Sequence, residues 1–370
     1  MKMKKQRKKK MPVFILGGIL ILCFVTILII LPPSRGKLPK PTNENGLSER
    51  TRVRIENGDL QIMLLSENTD NPVLLVCGGG PGIPQYLLEN SYPSALSEVF
   101  TVCYWEYRGT GASYQQGISA VYITTEQYIQ DTLAVTDYLK DRFSNERIFI
   151  MGHSFGTYLA LKTVQAHPER YCCYIAMSQI VDQKQSEYLA FDYMCDQYKK
   201  TGNSKMAAQF QKYDIRNSEE EYDRYFFSGL RDKAMHDLGV GTARDMKSVI
   251  SGIFFPSLRC SAYTQAERIW IWKGKAQARS FPVTQEAITF NAYEDVPRIE
   301  IPICFVVGKY DYTCCASLQQ DYYEYIDAPE KELYLFENSA HSPLYEENAN
   351  GKQVLTQIKD MFSLNRGQVG

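Results

Sequence analysis

Histidine is scarce, with four in 370 residues. Any imidazole-dependent proton transfer therefore has few candidates. The ten cysteines include no C-x-x-C pair, so neither a zinc site nor thioredoxin-like redox chemistry is indicated. Cys23 sits in an apolar run; the other nine are an odd number and cannot all pair within the chain. Cys172–Cys173 and Cys314–Cys315 are adjacent, a poor geometry for closing a loop. Mostly free, buried thiols are expected, which suits reducing or oxygen-poor surroundings. The glycine cluster Gly78–Gly82 lacks the Lys and Ser/Thr that complete a nucleotide loop. No cofactor and no metal is expected. Internal repeats and low-complexity segments are absent as well.

Positive charge is missing from the body of the chain. Seven basic residues fall within the first ten; net charge is −1, so without those seven the remainder stands at −8. A mildly acidic body argues against nucleic acid as a partner. Apolar residues at 44% and charged residues at 22% are ordinary globular values, whereas 26 tyrosines are many and suggest an aromatic-lined pocket.

Residues 13–31 carry no charge and end at Pro32-Pro33. At ~1.5 Å per residue this run spans the hydrocarbon core of a bilayer. The expectation is one membrane helix with the basic tail in the cytoplasm and the remainder outside. A cleaved signal would show a shorter core and small residues at its end. Residues 32–50, rich in Pro, Lys, Asn and Ser, read as a flexible tether.

Beyond the tether the chain alternates strands and helices. Asn57-Gly58 between apolar runs signals a hairpin. Val73–Cys77, Phe100–Trp105, Arg147–Met151 and Tyr174–Met177 read as strands, with helices at Glu126–Phe143, capped by Thr125, and Phe155–Ala166. Wholly apolar strands belong to parallel sheets covered on both faces. From 183 to 297 the strand rhythm stops, and the segment reads as a helical cap. Ile301–Val307, Cys315–Ile326, Glu332–Phe336 and a last helix near Lys352–Phe362 resume the pattern. The division expected is tail 1–12, membrane helix 13–31, linker 32–50, core 51–182, cap 183–297 and core 298–370.

Gly152-His153-Ser154-Phe155-Gly156 follows a strand and opens a helix, as a nucleophile elbow requires. Ser154 is the candidate nucleophile. It needs a base oriented by an acid, in the chain order Ser, Asp, His. His153 belongs to the elbow, His167 ends a helix and His236 lies in the cap, which leaves His341 after the last strand. Asp311, after the strand at 301–307, is the candidate acid. Backbone N–H groups of Phe155 and of the glycine loop, Gly79 first and Gly80 second, are the candidate oxyanion donors.

Together these stretches resemble the proline iminopeptidase family of α/β-hydrolases, serine peptidase family S33. That family carries an H-G-G-P-G loop, a D-x-R-G-x-G-x-S segment, the G-x-S-x-G elbow and a late Asp and His. Here Gly78 replaces the His of the loop, and Glu106 replaces the Asp in Glu106–Ser113. The resemblance implies an α/β-hydrolase fold, a mostly parallel sheet with an inserted helical cap. It also implies an aminopeptidase acting on short peptides, with cap carboxylates holding the free amino terminus. Glu187 is the candidate for that contact, beside Asp192 and Asp196. The same three residues would serve an esterase, a lipase-like enzyme or a lactonase. A non-catalytic surface protein on the same fold is the third expectation.

Overall fold

The computed structural model describes residues 31–363. The expected membrane span lies outside them but for Leu31. Among the described residues no helix is long and apolar enough to cross a membrane.

Eight strands are present: β1 Leu47–Ile55, β2 Gly58–Ser66, β3 Val73–Cys77, β4 Thr101–Trp105, β5 Ile148–His153, β6 Tyr171–Met177, β7 Ile303–Gly308 and β8 Lys331–Phe336. They form one sheet in the order β1-β2-β4-β3-β5-β6-β7-β8. β2 runs antiparallel to both β1 and β4. The remaining pairings are parallel. The hairpin turns at Glu56-Asn57, with Ile55 facing Gly58 and Asn57 at φ 63°.

The apolar strands explain this layering. Side chains alternate across a strand, so a wholly apolar strand needs cover on both sides. Val73, Leu75 and Cys77 join one core with the helices Thr125–Phe143, Phe155–Ala166 and Ala316–Tyr325. Leu74 and Val76 join a second core with the helices Leu96–Val99 and Asn348–Ser363. At one sheet edge, β1 carries Glu49, Arg50, Arg52 and Arg54, charges that discourage a further strand from pairing.

Two local expectations shift. The helix at 125–143 is capped by Thr124, whose hydroxyl accepts from Gln127 N–H at 3.2 Å. The Thr125 hydroxyl contacts the Tyr158 hydroxyl at 2.6 Å instead. The stretch 32–50, expected as a tether, lies against the body. Lys37 N–H donates to Ser261 O at 2.9 Å, and Arg268 Nη1 donates to Pro32 O at 2.5 Å. Residues 47–50 already belong to β1. A polar, proline-rich composition shows no packing pattern of its own, and these partners lie more than two hundred residues away.

Between β6 and β7 the chain is helical, from Gln183–Lys200 to Ala292–Asp295, with no strand among the described residues. Its first half has a separate core of Ala190, Met194, Tyr198, Phe210, Tyr225 and Met235. From Cys260 onward its buried side chains join the two sheet cores instead. This insertion roofs the carboxyl ends of the central strands.

Candidate active site

β5 ends in a turn so tight that its apex is forced into an unusual backbone state. Ser154 has φ 54° and ψ −123°, a conformation costing a non-glycine residue about 1–3 kcal/mol. The neighbouring glycines make the turn possible. A Cβ on Gly152 would meet Thr157 Cα at 2.5 Å, and one on Gly156 would overlap the carbonyl of Cys77. Ser154 is held by its N–H to Met177 O at 3.2 Å and by its carbonyl, which accepts from Thr157 N–H at 2.8 Å.

Asp311 follows β7 and is fully buried. Its Oδ1 accepts from Thr313 N–H and Cys314 N–H, both at 2.9 Å, and its Oδ2 from Gln319 Nε2 at 3.2 Å. His341 Nδ1 lies 2.9 Å from Oδ2 and 3.0 Å from Oδ1. That contact fixes the ring and the tautomer, since the carboxylate accepts the Nδ1 proton and leaves Nε2 free to accept. The loop carrying His341 is clamped by Glu346, whose Oε1 accepts from Ala340 N–H and Ser342 N–H at 3.0 Å each. Its Oε2 accepts from Arg244 N–H at 2.7 Å. Burial pushes the Glu346 carboxyl up to about 7, against these three donors.

Ser154 and His341 line one cavity of about 270 Å³. The Ser154 hydroxyl lies near the Cys314 thiol. No hydrogen bond joins it to His341 among the described residues. Nucleophile–base bonds are commonly loose without substrate and tighten with it.

The oxyanion donors sort differently from the expected order. Gly79 N–H is engaged by Gln85 Oε1 at 3.0 Å. Gly80 lines the cavity beside Ser154, and its N–H has no acceptor among the described residues. Phe155 opens its helix, so its N–H has no intrahelical acceptor. Gly80 and Phe155 thus have uncommitted N–H groups near the nucleophile, and Gly79 does not. Gln85 is a residue that sequence reasoning missed. Its Nε2 lies 3.0 Å from His153 Nδ1 and donates to the Tyr345 hydroxyl at 3.1 Å. His153 Nε2 donates to the carbonyl of His341 at 2.8 Å. Burial, with His341 second, pushes the His153 imidazole down to about 3, so it stays neutral and structural.

This chain of contacts also accounts for Gly78. A Cβ there would meet Gln85 Cβ at 2.9 Å, so the glycine makes room for Gln85. Glu106 likewise has a local task, accepting from Ala112 N–H at 2.5 Å and from the Tyr263 hydroxyl at 2.8 Å. Burial pushes its carboxyl up to about 7.

Glu187 does not present a free carboxylate. It is fully buried, and its Oε2 accepts from Arg231 Nε at 2.8 Å. The guanidinium, not the acid, lines the cavity. A helix pattern places Glu187 on an inward face but cannot show the cation 44 residues later that neutralises it. Asp192 and Asp196 are exposed and paired with Arg216 and Lys199. Seven of the nine described cysteines are buried, all seven as free thiols. No group of three or more His, Cys, Asp or Glu among the described residues has the geometry to hold a metal ion.

With the geometry in place, known proteins give it a context. A family model described as "Serine aminopeptidase, S33" matches residues 97–221. "Probable aminopeptidase YbaC" of Bacillus subtilis (strain 168) is 31% identical over 297 residues, covering 80% of this chain and 91% of that protein. The proline iminopeptidase of Mycobacterium smegmatis superposes with a TM-score of 0.62 at 14% identity, over 86% of this chain and 99% of that one. An esterase of Exiguobacterium antarcticum gives 0.54 at 15% identity, over 85% of this chain and 100% of that one. At such identities these two structures speak for the fold alone.

Proposed function

This chain belongs to the S33 family of α/β-hydrolases and is a serine hydrolase; from that premise we propose that it is an aminopeptidase releasing the N-terminal residue, proline among the candidates, from short peptides. The observation that carries the reading is the Asp311–His341 pair, whose His341 lines the cavity that Ser154 also lines. The 31% identical relative named a probable aminopeptidase supports the peptide substrate.

In this mechanism the Ser154 hydroxyl attacks the scissile carbonyl while His341 Nε2 takes its proton. Asp311 holds the imidazolium that forms. The N–H groups of Gly80 and Phe155 stabilise the oxyanion, a donor of this kind being worth about 3 kcal/mol. Collapse of the tetrahedral intermediate breaks the C–N bond, and His341 returns the proton to the leaving amine. Water then enters, His341 takes its proton, and the acyl bond to Ser154 is hydrolysed. On the sequence alone, the basic tail and apolar run at 13–31 would hold this domain on the outer side of a membrane.

A carboxylester hydrolase is the second reading. It is favoured by Arg231, which pairs with Glu187 Oε2 and places a cation rather than that acid in the cavity lining. The test uses the full-length protein in detergent, with proline-, alanine- and leucine-linked chromogenic amides beside short acyl esters. Amide cleavage that needs a free amino terminus and disappears in Ser154→Ala is the expected result. Ester cleavage alone would move the function to carboxylester hydrolysis. Failure of folded protein to react with a fluorophosphonate would remove hydrolysis altogether.

A further inference from the structure

Ser154 also lines a second cavity, of about 500 Å³. Gly80, Ser154, Arg231, Lys275 and Thr313 line both cavities, so two cations stand where the nucleophile and a free amide meet. The second cavity adds Arg279 to its lining and contains no acidic residue. Its other walls are largely apolar, with Phe226, Phe227, Ile180 and Ile288.

The three cations are not equivalent. Arg231 is neutralised by Glu187 at 2.8 Å. The Lys275 side chain is exposed and has no hydrogen bond or ion pair among the described residues. Partial desolvation, with Arg231 second, lowers its pKa. Arg279 lies over the Phe227 ring at 3.8 Å and has no acid partner among the described residues. Two cations without an acid partner on one apolar-walled cavity repel one another and attract an anion.

We propose that this second cavity is a carboxylate-recognition subsite, in which Lys275 and Arg279 hold an anionic group that the substrate carries close to its scissile bond. The inference rests on Ser154 being the nucleophile. In the aminopeptidase reading the anion is the C-terminal carboxylate of a dipeptide or tripeptide, which limits substrate length. In the ester reading it is a carboxylate on the acyl chain. Guanidinium and ammonium groups both suit such a partner, and the apolar walls accept the side chains or methylenes beside it.

The experiment compares matched pairs on the full-length protein. One arm sets Ala-Ala-Ala against its C-terminal amide; the other sets 4-nitrophenyl hydrogen glutarate against 4-nitrophenyl butyrate. The charged member of one pair should be preferred by about tenfold or more in kcat/KM, chiefly through KM, as a charge-assisted contact supplies. The arm that responds identifies the source of the carboxylate. Lys275→Gln should bring the ratio towards one, and Lys275→Arg should keep it. Calorimetry on Ser154→Ala, which cannot turn over, measures binding of the tripeptide acid and its amide directly. No preference for the charged member in either pair overturns the subsite, as does a preference unchanged in both Lys275→Gln and Arg279→Gln. Binding that needs the carboxylate in a protein whose Ser154 proves unreactive would keep the subsite and discard the hydrolase mechanism.

Discussion

Asp311 receives three N–H donors besides His341, so its carboxylate is held independently of the ring it orients. Asp311→Asn keeps the shape but can place an NH₂ against Nδ1, which favours the wrong tautomer. The expected result is a loss of kcat of about 10⁴ with KM little changed, read in steady-state kinetics on whichever substrate the wild type cleaves. A fall of less than about tenfold would remove Asp311 from the machinery. As candidates, Ser154, His341 and Asp311 were legible because each sits in a short segment whose neighbours announce it, and the structure joins Asp311 to His341. Glu187 and Gly79 were not, because Arg231 and Gln85 settle their fates through contacts made only on folding. Gln85 is open to its own test: Gln85→Leu removes the acceptor of Gly79 N–H and the partner of His153 Nδ1. Leaving those buried groups unsatisfied should cost about 1–3 kcal/mol in urea unfolding, and unchanged stability would show the network idle.

At the scale of elements, the strands were the clearest part of the sequence. Val73–Cys77 is apolar throughout because both its faces are covered, and Leu74 and Leu75 enter different cores. The helical insertion was legible only as an interruption. Most of its helices are short, and which of its residues form their own core is decided by aromatic contacts such as Phe191–Phe210 and Phe191–Tyr225. The cap of the helix at 125–143 shifted by one because Thr124 and Thr125 are equally suitable in sequence. The join between β5 and its helix gives the sharpest test at this scale. Gly156→Ala would drive a methyl into the Cys77 carbonyl, forcing the helix off β3. A destabilisation of about 2–4 kcal/mol is expected from such overpacking, with loss of activity. Gly229→Ala is the control, since nothing lies within 4 Å of a Cβ there; the change should be neutral or mildly stabilising. Equal effects of the two substitutions would refute the close approach at the elbow.

Across the whole molecule, buried ionisable groups set opposing pH dependences. The Glu106 and Glu346 carboxyls both stand at about 7, above the ordinary 4.5. The folded state therefore binds more protons than the unfolded chain between those values. The stability these groups contribute is complete below about 4.5 and is lost as pH rises through 7. His153 works the other way. Its imidazole is held at about 3 against an ordinary 6.5, so its contribution is complete above 6.5 and is lost as pH falls towards 3. The Glu106 part can be isolated by Glu106→Gln. The glutamine oxygen can accept from Ala112 N–H while its NH₂ donates to the Tyr263 oxygen, so the packing survives and only the titration goes. Urea midpoints of wild type and variant, measured at pH 5 and pH 8, give the answer. Relative to wild type the variant should gain stability between the two, by about 3 kcal/mol at most. A gap between the two proteins that stays constant with pH would show that Glu106 titrates alike in the folded and unfolded chain, and that Tyr263 and Ala112 hold an ordinary carboxylate.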